Sequence, residues 1–420
     1  MTKKLNRALA LTATGVLCLL NTLPVQAATV KSEVEQLKQE MQQLMQQNQQ
    51  LNQRLSEMER ESVQAQPAVV EPVPTEQDVA RNKTAIEDEV ARQLKDKGGQ
   101  GINDFVTLSG SIEGDYKFGK DFSGTHTSEF VLDTVELILD VKATDWATGK
   151  IVVLYEGADN ESEDLFIDEA HITLGKTEDF PFFLTGGKIF APFGDFSTNM
   201  IQDPLTQTVG EINEEGVIAG FEQSGFTGTV FAYNGIDGHD PDNDTINGCG
   251  ASLAYGYEQD EVTLNTGISW VNNIGSSGGI SEALLSGSLS DEIAGLSLNL
   301  GGSYGPFSLI TEYTTALDSF DAADLPAGAG GAQPGAWNSE LACTTTLLGK
   351  ETVFALGYQK SWEAVALELP ENRYITSAAM NIFEGATVTL EYYFDKDYSV
   401  GDGGTGENGY GFTTRLAYAF

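Results

Sequence analysis

Cysteine, histidine and positive charge are all scarce in this 420-residue chain. Three cysteines, Cys18, Cys249 and Cys343, give no metal-type spacing and no disulfide framework. The three histidines, His126, His171 and His239, stand far apart, and no Ser–His–Asp order, Gly-rich phosphate loop or zinc spacing is visible. The residues therefore point to no enzyme, no cofactor and no resident metal. Lys and Arg together number 23 against 62 Asp and Glu, a net charge of −39. Such a field repels nucleic acid and favours cations. After residue 27, no apolar run approaches the roughly 20 residues that a membrane helix needs. Any crossing of a membrane must then be made by strands, which hide their hydrophobicity in alternation.

What is present begins with a secretion signal. Lys3, Lys4 and Arg7 precede an apolar run from Ala8 to Leu20, and Val25-Gln26-Ala27 ends the segment with a small residue. An uncleaved anchor is the other reading, and the shortness of the run counts against it. A lipoprotein signal wants a small residue before its cysteine, but Leu17 precedes Cys18. Residues 28–99 are close to charge balance, so the acidity belongs to the chain that follows.

Residues 28–60 are read as a coiled coil. Val34, Met41, Asn48 and Leu55 fit position a of a heptad, and Val30, Leu37, Leu44, Leu51 and Met58 fit position d. A single amphipathic helix or a Gln-rich disordered tract is the plainer alternative. A coiled coil needs partner helices, so the heptad predicts a homo-oligomer. The prolines of residues 61–76 predict an extended linker, and a short helix is expected over 77–97 before Gly98, Gly99 and Gly101.

From residue 102 the period changes to two. Leu108, Ile112, Tyr116 and Phe118 alternate with Ser, Glu, Asp and Lys, and segments of this kind recur to Phe420. Sixteen are expected, joined by connections that alternate between short turns such as Gln259-Asp260 and long loops such as 191–213. That pattern predicts an all-β fold: a transmembrane up-and-down antiparallel β-barrel over 102–420, both ends in the periplasm and long loops outside. The stretch Ile280–Ile293 is read as loop, since a seventeenth strand would break the parity. Backbone in hydrocarbon must pair internally, which requires closure, and about sixteen strands leave an aqueous lumen. The C-terminal alternation ending at Phe420 resembles the signal read by the barrel-assembly machinery, which is thus an expected partner beside outer-membrane lipid.

The acids fall opposite the apolar phase, so Glu113, Asp115, Asp133, Asp140, Asp168 and Glu391 are expected to face water inside. Phe182, Phe183, Tyr392, Tyr393 and Tyr418 suit interfacial girdles. Loop 191–213 is the third external one by this count and long enough to be functional. Folded into the lumen, it would set Asp195, Asp203 and Glu211 at a constriction beside Glu214 and Glu215, with pore-lining Lys188 just before it. Rings of carboxylates favour cations. The bland alternative is a loop lying over the rim with solvated acids. The alternating acids Asp237, Asp240, Asp242 and Asp244 lack the Gly turn and distal Glu of a Ca²⁺ loop and are read as a solvated external loop.

The run GGKIFAPFGDFSTNMIQDPLTQTVGE, with IDEAHITLG at 167–175 before it, resembles the LbtU-family siderophore porins. The shared features are Gly187-Lys188, Pro192-Phe193-Gly194, Asn199-Met200 and Asp203-Pro204-Leu205-Thr206, with the heptad ahead of the barrel. The resemblance implies a sixteen-stranded barrel of the Gram-negative outer membrane, its coiled coil in the periplasm, linked to uptake of ferric siderophore. It supplies no ligand-binding residues. A general cation-preferring porin for small solutes, and a structural spacer toward peptidoglycan, are the other functions the sequence permits.

Overall fold

The computed structural model describes residues 105–157, 165–236, 245–285, 289–327 and 330–420. The expected signal peptide, coiled coil, linker and short helix lie outside these residues, as does the acidic stretch 237–244. Among the described residues, no helix is long and apolar enough to cross a membrane.

Sixteen strands close into one antiparallel barrel. They are β1 (Val106–Lys120), β2 (His126–Thr144), β3 (Ala147–Glu156), β4 (Leu165–Gly175), β5 (Phe182–Phe190), β6 (Asn213–Gln223), β7 (Phe226–Gly235) and β8 (Thr245–Gln259). Then follow β9 (Val262–Val271), β10 (Gly295–Tyr304), β11 (Phe307–Ala316), β14 (Gly335–Leu347), β15 (Lys350–Trp362), β16 (Asn372–Phe383), β17 (Ala386–Lys396) and β18 (Asn408–Ala419). Each pairs with its sequence neighbour, and β1 closes the cylinder against β18 from Ser111↔Ala419 to Lys120↔Tyr410. The two-residue strands β12 (Pro326–Ala327) and β13 (Gly330–Gly331) pair only with each other, inside the loop between β11 and β14. Among the described residues of 280–293 there is no strand; a short helix, α2 (Gly278–Ala283), runs into the stretch.

The short connections are true hairpins. Ser224-Gly225 and Leu348-Gly349 have positive φ at both residues, the geometry whose twist matches that of the flanking strands. The outer face is apolar: Leu108, Ile112, Leu253, Ile268, Leu298 and Leu341 are all exposed. At one end, that of the short turns, Phe182, Phe226, Tyr304, Phe307, Phe383 and Tyr418 are exposed on this face. At the other end Trp270, Tyr313, Trp337, Tyr374, Tyr392 and Phe118 are exposed on β9 to β1.

Two expected girdle residues point the other way. Phe183 packs its ring over Gly220, and Tyr393, in register with buried Ile375, lies under the Arg373 guanidinium. Each is the inward neighbour of an outward aromatic, Phe182 and Tyr392, since successive side chains of a strand alternate in direction.

Strict alternation also fails at bulges. Glu113 pairs with Thr134 and Gly114 with Leu132, so Asp133 is an extra residue in β2. Phe130 and Leu132 face outward before it, and Val135, Leu137 and Leu139 after it, which places Val131 inward. Asp168 is likewise extra in β4, between Ile167 and Glu169. A bulge sets two successive side chains on related faces and bends the strand; here both insertions add a carboxylate to the inner wall.

Candidate functional site

The connection from β5 to β6 turns into the barrel. Gly194 starts the turn at φ +89°, where a Cβ would strike the Phe196 ring, and Phe196 follows at φ +51°. Glycine adopts such backbone without steric cost. The segment ends in the single-turn helix α1 (Leu205–Gly210), introduced by Pro204.

Three glutamates on the inner wall grip this loop by its backbone. Glu312 of β11 accepts from the Asp195 N–H at 2.8 Å, the Phe196 N–H at 3.1 Å and the Thr206 hydroxyl at 3.0 Å. Glu340 of β14 accepts from the Thr198 hydroxyl at 2.8 Å, the Asn199 N–H at 2.9 Å and the Asn199 side-chain amide. Glu391 of β17 accepts from the N–H groups of Ile201 and, at 3.0 Å, Gln202. Gln359 of β15 accepts from the Leu205 N–H at 3.2 Å, and the Ser377 hydroxyl of β16 donates to the Asn199 carbonyl at 3.0 Å. The glutamates are 3%, 2% and 1% exposed. A carboxylate only accepts, and a loop with no ladder of its own has N–H groups to donate, so the two satisfy each other. Hydrogen bonds to a charged acceptor are also about twice as strong as neutral ones.

Apolar contacts hold the rest. Leu205, Val209 and Ile212 of the loop are buried in one cluster with Phe231, Ile280, Leu325 and Leu367. These come from β7 and from the next three long connections with described residues in the cluster, so the loops share a core on one side of the barrel mouth.

These bonds to the wall, with that from the Gly194 N–H to the Ser269 hydroxyl of β9 at 3.1 Å, fall on β9 to β17. The arc from β18 to β4 carries ion pairs instead. Arg415 of β18 binds Asp115 through two bonds of 2.9 Å, and also Glu113 and Asp133. Lys117 donates to Asp133 at 2.8 Å, and Lys150 to Glu169 at 2.6 Å. On β16 and β17, Arg373 forks onto Asp395 with two bonds of 2.9 Å.

The residues expected at the pore sort as follows. Glu113, Asp115 and Asp133 meet at Arg415, and Asp140 lies on the inner face of β2, opposite Lys150. Asp195 is in the infolded turn, where its carboxylate accepts from the Ser197 hydroxyl at 2.6 Å. Asp203 is exposed just before α1, and Glu211 is the residue after it. Burial, with the charges of Asp203, Asp168 and Glu156 nearby, pushes the Glu211 carboxyl up to about 7 against the bond from Gln207. Glu214 is on the inner face of β6, in register with buried Ile189.

Lys188 and Glu215 do not face the lumen. They pair in register on β5 and β6, on the same face as Leu184 and Val217, which is the outer one. The Lys188 ammonium reaches the Ile167 carbonyl at 2.8 Å. Glu391 faces inward as expected but is sealed beneath the loop, away from open water. Glu312 and Glu340 were not singled out in the sequence. Both stand in the inward phase of their strands, a signal that marked them as lumenal but not as loop anchors.

No family model matches this chain. A UPF0422 protein of Coxiella burnetii is 27% identical over 313 residues, 72% of this chain and 67% of that one. A UPF0422 protein of Legionella pneumophila is 23% identical over 322 residues, 70% of this chain. The chain spans 60% of that relative's length. Among solved structures, OprB of Pseudomonas putida matches with a TM-score of 0.56 at 10% identity, over 76% of this chain and 95% of that one. The outer membrane channel DcaP of Acinetobacter baumannii matches at 0.52 with 15% identity, over 75% and 97%. An anion-selective porin from Comamonas acidovorans matches at 0.51 with 15% identity, over 75% and 99%. The fold is that of the porins. In this barrel the infolded loop covers the β9–β17 wall, while the β18–β4 arc presents its charged groups.

Proposed function

We propose that this chain forms a passive diffusion channel in the Gram-negative outer membrane, cation-preferring and open to small solutes. The observation that carries the reading is the loop laid along the inner wall of a closed sixteen-strand cylinder whose outer face is apolar. An apolar outside with a charged inside suits a barrel in lipid that holds water. The acids at the loop, Asp195, Asp203 and Glu211, stand across from a wall whose Arg and Lys are already paired to carboxylates, so the surplus is negative. The barrel does no chemistry in this reading. The resemblance of residues 165–220 to LbtU-family siderophore porins supports ferric siderophore as one solute. The segment before the barrel then lies in the periplasm.

Purified protein in planar bilayers is expected to give discrete conductance steps, with a reversal potential under a salt gradient that favours cations. Closed, silent barrels would overturn the channel reading. Liposome swelling with ferric siderophore, and growth of a deletion strain on it as sole iron source, test the solute separately. Unchanged growth would leave the channel and remove the siderophore.

A further inference from the structure

Between Lys188 and Lys350 the sequence holds no Lys or Arg. Strands β6 to β14 therefore carry no cationic side chain, while Asp260 and Glu261 stand in the turn from β8 to β9. The outer face of β9 to β14 has a hollow of about 330 Å³ near that turn. It centres on Gly302 of β10. Leu264 of β9 and Leu309 of β11 pair with Gly302, and Leu341 of β14 pairs with Leu309. Leu300 and Tyr304 flank the glycine along β10, since alternate residues of a strand share a face. A side chain at 302 would complete this apolar row, but a Cβ there would come within 2.9 Å of the Thr263 carbonyl. The nearest side-chain atom, Leu264 Cδ1, is 3.8 Å from that point, so no neighbouring side chain closes the gap. Gly228 of β7 also lies between outward residues, Phe226 and Val230, but there the Phe221 ring closes over it.

The foot of the hollow meets the aromatic band of the turn end at Tyr304 and Phe307. Just beyond, the Gly305 N–H donates to the Glu261 carbonyl at 3.2 Å, and the Glu261 carboxylate lies beside Gly305. Aromatic bands mark head-group level, and Gly302 stands about 7 Å further into the wall, at acyl-chain depth. A hollow in a lipid-facing wall forfeits dispersion contacts unless hydrocarbon enters it. Its volume falls at the low end of ligand sites, roughly 300–1,000 Å³. Charge then selects the head group. Lipid phosphates without a counter-charge are held by Lys or Arg, and this sector has neither. An ammonium, in contrast, is attracted by Asp260 and Glu261. We propose that the hollow holds an acyl chain of an ethanolamine phospholipid, with the head-group ammonium facing Glu261. Phospholipids of net negative charge are disfavoured there. The inference rests on the membrane reading given above.

The test reconstitutes the full chain with equal parts of phosphatidylethanolamine and phosphatidylglycerol. The protein is then taken into detergent, and the lipid it retains is read by native mass spectrometry. Phosphatidylethanolamine should be retained several-fold over phosphatidylglycerol. Leu264→Trp and Leu309→Trp, which fill the hollow from either side, should each lose that retention. Leu298→Trp, further along the outer face of β10, should keep it. Glu261→Lys should turn the preference toward phosphatidylglycerol. A phosphatidylethanolamine with a diazirine in its acyl chain should label peptides of β9 to β11 in the native protein, a result that decides even where a Trp variant does not fold. Equal retention of the two lipids, retention unchanged in both filled variants, or labelling spread evenly around the barrel would overturn the inference. So would a protein held at the hollow in place of lipid. Heat-dependent mobility on gels and co-sedimentation with liposomes report separately whether each variant is a folded membrane barrel. A native chain that never enters lipid would indict the membrane reading, not the lipid site.

Discussion

Glu391, Glu340 and Glu312 each do for the infolded loop what a neighbouring strand does in a sheet: they accept its N–H groups. Replacing Glu391 by Ala would leave the Ile201 and Gln202 N–H groups without their acceptor. An unsatisfied buried donor costs about 1–3 kcal/mol. The variant should therefore remain a folded barrel but show noisy, flickering conductance and faster protease cutting near residue 201. Glu391→Gln, which keeps one acceptor oxygen, should fall between. Unchanged noise in both would mean that the other two glutamates suffice. Glu211 sets a pH dependence. Its carboxyl is raised to about 7, so the folded protein holds that proton more tightly than the unfolded chain does. Stability from this group is full below the ordinary carboxyl range and is lost as pH rises through about 7. Over the same interval a negative charge appears beside Asp203, so cation preference should rise with pH. Reversal potentials measured from pH 5 to 9 should show the rise in the native protein and a flat profile in Glu211→Gln.

Loop 191–212 behaves as one element because α1 is pinned on both sides, by glutamates through its approach and by apolar contacts through its own face. Val209 is fully buried among side chains of several loops. Val209→Asp would place a charge there without a partner, and large costs follow from burying such a group. We expect release of the loop with the barrel intact, read as an increase in single-channel conductance and loss of ion preference. The strands themselves were legible in the sequence, since lipid on one face and water on the other impose an alternation that runs for ten residues at a time. Two things were not. A bulge consumes one residue without changing composition, so Asp133 and Asp168 look like ordinary members of their phase. The glutamate anchors act on residues 106 to 190 positions away, and local pattern carries no trace of such a pairing. The placement of Lys188 inside failed for a related reason: Gly186 and Gly187 precede it, and glycine tells nothing about which face it occupies. Gly187 itself sits at φ +140° with the Ala170 carbonyl where a Cβ would be.

Closure of the whole barrel depends on the seam between β18 and β1, which joins residues some 300 positions apart. Arg415 reaches from one side of it to Asp115 and Glu113 on the other, and beyond to Asp133 of β2. Breaking a buried ion pair by deleting one partner costs about 3–5 kcal/mol, because the remaining charge is stranded; water in the lumen moves the expectation to the lower end. Arg415→Ala should thus lower the temperature at which the folded, fast-migrating gel band converts to the slow one. An unchanged conversion temperature would show that the backbone ladder alone holds the seam. The shared apolar core at the mouth has a bearing on how such a protein can diversify. Surface loops usually tolerate insertion, deletion and exchange one at a time. Here Leu205, Ile280, Leu325 and Leu367 come from four separate connections yet fill one another's space, so a graft of any single one from a homologue would leave a hole or a clash in the other three. Their lengths and sequences are bound to change together or not at all, which leaves the short loop at 121–125, outside that cluster, as a place where foreign peptides can be displayed without disturbing the barrel.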